Sequence, residues 1–166
     1  MEKLESYYRK RDFAKTGEPR GSKSGRNREP IFVVQKHDAR NLHYDFRLEI
    51  GGVLKSWAVP KGPSLDPSVK RLAVLTENHP LEYAKFEGTI PEGEYGAGKV
   101  SLWDRGKYFN KRLRKQGVKK LDMEGSFRDG LIEIELKGHK LKGGWALKKL
   151  QKDNWLLIKM NDDKKD

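Results

Sequence analysis

The chain has 166 residues, 35% of them hydrophobic and 36% charged, with a formal net charge of +12 and no cysteine. That length suits one domain with a sizeable core, and the low apolar share leaves some of it to tail or long loop. The missing cysteines exclude disulfides, thiolate metal sites and cysteine nucleophiles, while the basic balance suits either a polyanionic partner such as nucleic acid or simply a lysine-rich surface.

Residues 1–29 begin "MEKLESYYRK" and continue through "GEPRGSKSGRNREP", with no periodic apolar pattern. They read as an irregular basic arm, without the apolar core of a signal peptide. No apolar run reaches the roughly 18–20 residues of a membrane-spanning helix, so a cytoplasmic protein without membrane contact is expected. A folded domain is expected over 30–160 and a charged tail over 161–166.

From Ile31 the pattern changes. "IFVVQKH" is a β-branched and aromatic run, and "LHYDFRLEI" alternates with period two. Gly51-Gly52 then predicts a hairpin turn, with "VLKSWAVP" returning. Further strands are predicted at "RLAVLT", "KVSLW", "LIEIEL", "WALKKL" and "WLLIKM". "GSFRDG" and "LKGHKLKGG" read as turns or strand edges. "KRLRKQGVKKLDM" is a candidate basic helix, interrupted by Gly117. Many short strands with turn punctuation predict an all-β barrel or sandwich with at most short helices. The four tryptophans sit in apolar strands and are expected in the core.

Side chains alternate faces along a strand, so His43, Asp45, Arg47 and Glu49 share one face of "LHYDFRLEI". His37 lies upstream, beyond "DARN", which can turn the chain back. Two imidazoles and a carboxylate can then meet on one metal, with Arg47 about 7 Å along the strand to grip an anion. A solvated strand face with ordinary salt bridges accounts for the same residues. Lys61, Arg71, His79 and Tyr83 are donor types that suit a phosphate site, yet each taken separately is more readily an ordinary surface residue. "GEYGAGKV" matches the spacing of a P-loop, but Val100 supplies no hydroxyl and "VSLW" reads as a strand where a helix is required, so a glycine-rich hairpin is expected. His139 is expected to be structural or solvated.

The segments "FVVQKHDARNLHYDFRLEIGGVLKSWAVPKGPSLDP", "RLAVLTENHPLEYAKFEGTIPEGEYGAGKV" and "HKLKGGWALKKL" through "NWLLIKM" resemble the 3′-phosphoesterase domain of bacterial DNA ligase D. The resemblance runs from "RDFAKTGEP" to "WLLIKM" and weakens over 106–128. It implies a compact β-barrel, and since the sequence shows no ligase or polymerase module, a stand-alone, monomeric form is expected. It implies a manganese-dependent enzyme, with cobalt or zinc as substitutes, that removes a 3′-terminal ribonucleoside and then the remaining 3′-phosphate. Its partners would be a primer–template end and a separate ligase or polymerase of end joining. The family's metal ligands fall on His37, His43 and Asp45. Its phosphate-contacting residues fall on Arg47, His79 and Tyr83, with Lys61 and Arg71 as further contacts and Gln35 as an active-site position. In the arm, Arg11 and Glu18 match the family's N-terminal motif, whereas Arg20, Lys23, Arg26 and Arg28 would add only screened affinity. Two other readings compete: a non-haem iron oxygenase using His43, Asp45 and His79, and a nucleic-acid-binding barrel without catalysis.

Overall fold

The computed structural model describes residues 4–19, 28–114, 117 and 119–161. Arg20, Lys23, Arg26 and the end of the tail lie outside these residues. The strands are β1 (Ile31–Asp38), β2 (Leu42–Ile50), β3 (Val53–Val59), β4 (Lys70–Leu75), β5 (Gly88–Ile90), β6 (Gly98–Asn110), β7 (Leu131–Lys137), β8 (Lys142–Gln151) and β9 (Asn154–Lys159). They pair in the order β1-β2-β3-β4-β9-β8-β7-β6, and β6 returns to β1, closing an eight-stranded antiparallel barrel with β5 added beside β6. Closure removes the open edges that an all-β protein must otherwise protect.

Period-two alternation sorts the side chains. On β2, Phe46, Leu48 and Ile50 enter the main core with Phe32, Val34, Trp57, Trp145 and Trp155. Trp103 packs against that core partly buried. Gly51 and Gly52 form the β2–β3 turn with φ of 64° and 87°, the left-handed pair that a two-residue hairpin needs.

Three readings change. "KVSLW" is part of a 13-residue strand, β6, which pairs with β5 and β1 and then crosses to β7. A register shift opposite Val34/Gln35 lets it bend, as β-bulges do. "GSFRDG" lies largely in a helix, α2 (Met123–Asp129, after the arm's α1 at Glu5–Arg9). The Asp122 side chain caps it by accepting from the Gly125 amide, and Gly130 ends it at φ 83°. Phe127 of α2 stacks on Trp155 and meets Trp57 edge-on. Where a basic helix is expected after Asn110, the described residues form a 3-10 turn at Lys111–Leu113. There Arg112 is buried and donates to the Lys119 and Leu131 carbonyls and to Asp129.

A second, smaller cluster lies on the outside of the wall formed by β1–β3. Val33 and Leu54 of the wall pack with Tyr7 of the arm and with Tyr83 and Ala84, and Phe13 and Leu102 flank them. Tyr83 and Ala84 belong to a 3-10 turn, Leu81–Lys85. The arm and this turn therefore cover one outer face of the barrel.

Candidate active site

The strand register assembles that outer face. His37 is paired with His43, Gln35 with Asp45, and Val33 with Arg47. On the other side Asp45 pairs with Ala58 and Arg47 with Ser56. One patch of three strands thus presents His37, His43, Asp45, Gln35, Arg47 and Ser56 together, although His37 and Asp45 come from different strands.

Ligand atoms of His37, His43 and Asp45 all lie within 4.8 Å of one another. His37 Nδ1 is 3.4 Å from Asp45 Oδ2, and His43 Nε2 is 3.2 Å from Asp45 Oδ1. The opposite nitrogen of each ring meets a backbone carbonyl: His37 Nε2 is 2.7 Å from Gly96 O, and His43 Nδ1 is 3.1 Å from Asn41 O. A proton held at each of those nitrogens leaves the inward one with a free lone pair. This is how outer hydrogen bonds set a metal-binding imidazole. The donor set suits a borderline divalent cation. Asp45 is buried, which opposes its charge. In the metal-free protein the inward nitrogens can instead carry a proton towards Asp45, and the Arg47 guanidinium with these hydrogen bonds from His37 and His43 outweighs burial and holds the carboxyl well below its ordinary range. The Asp45 hydrogen bond in turn raises His43.

Arg47 is held from three sides. It donates to Gln35 Oε1 (2.6 Å) and Ser56 Oγ (2.9 Å), and its Nη2 lies 3.4 Å from Asp45. Gln35 spends its amide on the Tyr83 and Phe86 carbonyls, so one side chain ties the guanidinium to the covering turn. His79 is fixed by backbone pairing with Leu54. Its Nδ1 lies 3.0 Å from Glu77 O and 3.2 Å from Arg47 Nη1. Its Nε2 lies 3.5 Å from Arg11 Nη2. Burial, then Arg47 and Arg11, push the imidazole well below its ordinary value, so it is neutral at pH 7.

Arg11 reaches this cluster from the arm. It donates to Glu18 (3.1 Å), Glu77 (2.9 Å) and the Tyr7 carbonyl, and stacks 4.0 Å from the Tyr7 ring centroid. Buried Glu18 accepts from Thr16, Arg11 and the Tyr83 hydroxyl, the last at 2.6 Å. Tyr83 therefore holds the arm through its hydroxyl, while Arg47 lies over its ring.

These groups line one cavity of about 330 Å³, with Arg11, Glu18, His37, His43, Asp45, Arg47, His79 and Tyr83 in its walls. Gln35 sits behind them. Lys61 and Arg71 do not line it. Lys61 is exposed, and Arg71 donates to Gly62 O from a β4 row that includes core residue Ala73. His139 is also outside the cavity. Gly93–Val100 forms turns leading into β6 rather than a phosphate-binding loop before a helix. Sequence reading missed Glu77, which accepts from Lys10 and Arg11 while its side chain is buried. It also missed Ser56 and Tyr7. Only Glu77, two residues before His79 in a polar run, carried any sequence signal.

The family model for the DNA ligase D 3′-phosphoesterase domain matches residues 35–149. The multifunctional non-homologous end joining protein LigD of Pseudomonas aeruginosa is 49% identical over 96% of this chain. The corresponding proteins of Mycobacterium tuberculosis and Mycolicibacterium smegmatis are 43% and 45% identical, each over 98% of it. The chain spans only about one-fifth of the length of these relatives. With a family match over most of its residues and a barrel built as that resemblance implies, the chain belongs to the DNA ligase D 3′-phosphoesterase domain family.

Proposed function

We propose that the chain heals nucleic-acid 3′ ends for non-homologous end joining: it removes a 3′-terminal ribonucleoside and then the 3′-phosphate, leaving a 3′-hydroxyl. The observation that carries this reading is the placement of His37, His43 and Asp45 in one cavity with Arg47, Arg11 and His79. Three metal-ligating atoms beside two guanidiniums and an imidazole fit a phosphate ester, whose oxygens the guanidiniums can grip beside the metal.

His37, His43 and Asp45 would hold a divalent cation, manganese by family resemblance, with cobalt or zinc as substitutes. When bound, such a cation polarises a phosphoryl oxygen and orients or activates a nucleophile. The chain's own groups do the rest. Arg47, pre-oriented by Gln35 and Ser56, and Arg11, pre-oriented by Glu18 and Glu77, bind the phosphate oxygens and offset charge that develops in the transition state. His79 starts neutral between two guanidiniums. The negative charge of the phosphate beside it, single in the diester and up to double in the monoester, would offset their charge and raise its proton affinity, so that it can hold the proton the leaving oxygen requires. Tyr83 and Glu18 keep the arm closed over the site. Lys61 and Arg71 would meet the strand outside the cavity.

The oxygenase reading needs His79 as a ligand. The atoms that converge are those of His37, His43 and Asp45 instead. His79 is occupied by Arg47, Glu77 and Arg11, which favours phosphate chemistry. The test is a primer–template duplex with one terminal ribonucleotide, incubated with manganese or with chelator, with the end groups resolved over time. A 3′-phosphate intermediate followed by 3′-hydroxyl product is expected, and only with metal. Unchanged ends with manganese, or equal turnover with chelator, would sink the assignment. Binding without any product would point to the non-catalytic barrel.

A further inference from the structure

The cavity is charged on its floor but has one aromatic at its lip. Tyr95 borders it while remaining 50% exposed. Among the described residues, no other exposed large hydrophobic side chain does so. Exposure of a Tyr ring leaves apolar surface in water that a flat ligand can cover. The ring is not loose. Lys10 Nζ lies 4.6 Å from its centroid and Arg11 Cζ 5.5 Å, and both cations are themselves anchored on Glu77. Such cation–π contacts hold the ring in place at the edge of the site. Its backbone neighbour, Gly96, supplies the carbonyl that orients His37, so the ring and a metal-ligating imidazole are set by the same turn. Arg11 ties the two ends of the cavity together, because its Nη2 is also 3.5 Å from His79 Nε2. An anion held by Arg11 would lie beside the ring, because Arg11 Cζ is 5.5 Å from its centroid.

We propose that Tyr95 is a base-stacking subsite for the nucleoside that carries the scissile 3′-phosphate. The proposal rests on the reading of the substrate as a nucleic-acid end. Every base offers a π face, so the subsite would hold the terminal nucleoside without selecting its identity. A stacked base lowers KM, whereas the charged floor performs the reaction.

The test is a cycle between the ring and the base. Two duplexes ending in a 3′-phosphate are compared, one with a normal terminal nucleotide and one with a tetrahydrofuran abasic residue in its place. Wild-type protein with manganese should show a KM about 5- to 150-fold lower for the base-containing end. In Tyr95→Ala that preference should collapse towards unity, and Tyr95→Phe and Tyr95→Trp should retain it. A variant that merely disturbed Arg11 or the Gly96 turn would lose kcat on both ends and keep the base preference, which overturns the subsite. The same cycle is read by binding in chelator. If the wild type hydrolyses neither end but binds the base-containing one more tightly through Tyr95, the proposed reaction fails and the subsite stands. Binding that ignores either the base or the ring overturns the subsite.

Discussion

The two faces of the β1–β3 wall divide the work of the protein residue by residue. On β2, Phe46 and Leu48 point into a core of aromatic and aliphatic side chains, while Asp45 and Arg47 point outward into a polar network. Both faces are buried: Asp45 is 6% exposed and Phe46 0%. Burial therefore does not distinguish structural from functional positions here. What differs is the covering layer. The inner face is closed by the barrel itself, and the outer face by the arm and the 3-10 turn at Leu81–Lys85. A polar group on the outer face is covered by a segment held through a few side chains, chiefly Glu18, Tyr83 and Tyr7.

The sharpest way to break this division is to alter neighbours on opposite faces. Asp45→Asn should lose bound metal and at least about 100-fold in turnover while the barrel stays folded, because it removes a charged ligand but keeps its volume. Metal content, turnover and circular dichroism of the purified variant check this. Phe46→Ala should do the reverse, costing about 3–5 kcal/mol of stability through the cavity it leaves. Denaturant unfolding measures it, and the folded fraction should still bind manganese. If Asp45→Asn unfolds the protein as readily as Phe46→Ala does, the outer face is structural.

Arg11→Ala tests the covering layer. Turnover at saturating substrate should fall on the order of 10- to 100-fold, and low salt should not restore it, because Arg11 acts from a buried side chain fixed on Glu18 and Glu77 rather than through screened attraction. Charge reversal at exposed Arg105 should only weaken binding, with recovery at low salt. Matching salt profiles would reduce the arm to a tail.

A smaller effect concerns pH in metal-free protein. His79 has a folded value below its unfolded one, so below about pH 6.5 the unfolded state binds the extra proton and stability falls as pH drops. His43 is raised, so its contribution is present at low pH and fades as pH rises. His79→Gln should remove a slope of about 1 kcal/mol per pH unit below 6.5, read from urea midpoints. His43→Gln should leave that acid slope in place and instead abolish a fall in stability as pH rises above about 6.5. Least of all, His139→Ala should leave melting temperature and turnover within error, since that side chain is exposed and outside the cavity.

Much of this architecture is legible in the residues. The alternation of "LHYDFRLEI", the Gly51-Gly52 turn and the even spacing of apolar runs identify strands, because a half-buried strand imposes period two on its own sequence. The shared face of His43, Asp45 and Arg47 follows from that period alone. The helix at Met123–Asp129 was not legible as such. Seven residues with a glycine and a serine carry a weak propensity, and it is the Asp122 cap and the packing of Phe127 on Trp57 and Trp155 that stabilise it. The length of β6 was hidden for a related reason, since Gly106 looks like a strand breaker. In the fold it lies so close to the Lys137 carbonyl that any Cβ would clash.

Local pattern thus specifies elements and the side of each that is wet, since both follow from interactions within a few residues. It does not specify which polar residues meet. His37 joins Asp45 through the β1–β2 register, His79 joins Arg47 through an isolated bridge to Leu54, and Arg11 reaches His79 from a segment whose composition resembles a solvated tail. The first is a hairpin contact within a few residues, but the other two depend on the bridge to Leu54 and on the docking of Tyr7 and Phe13, contacts between residues far apart in the chain. No short-range periodicity encodes such contacts, because their free energy appears only when the whole wall is assembled.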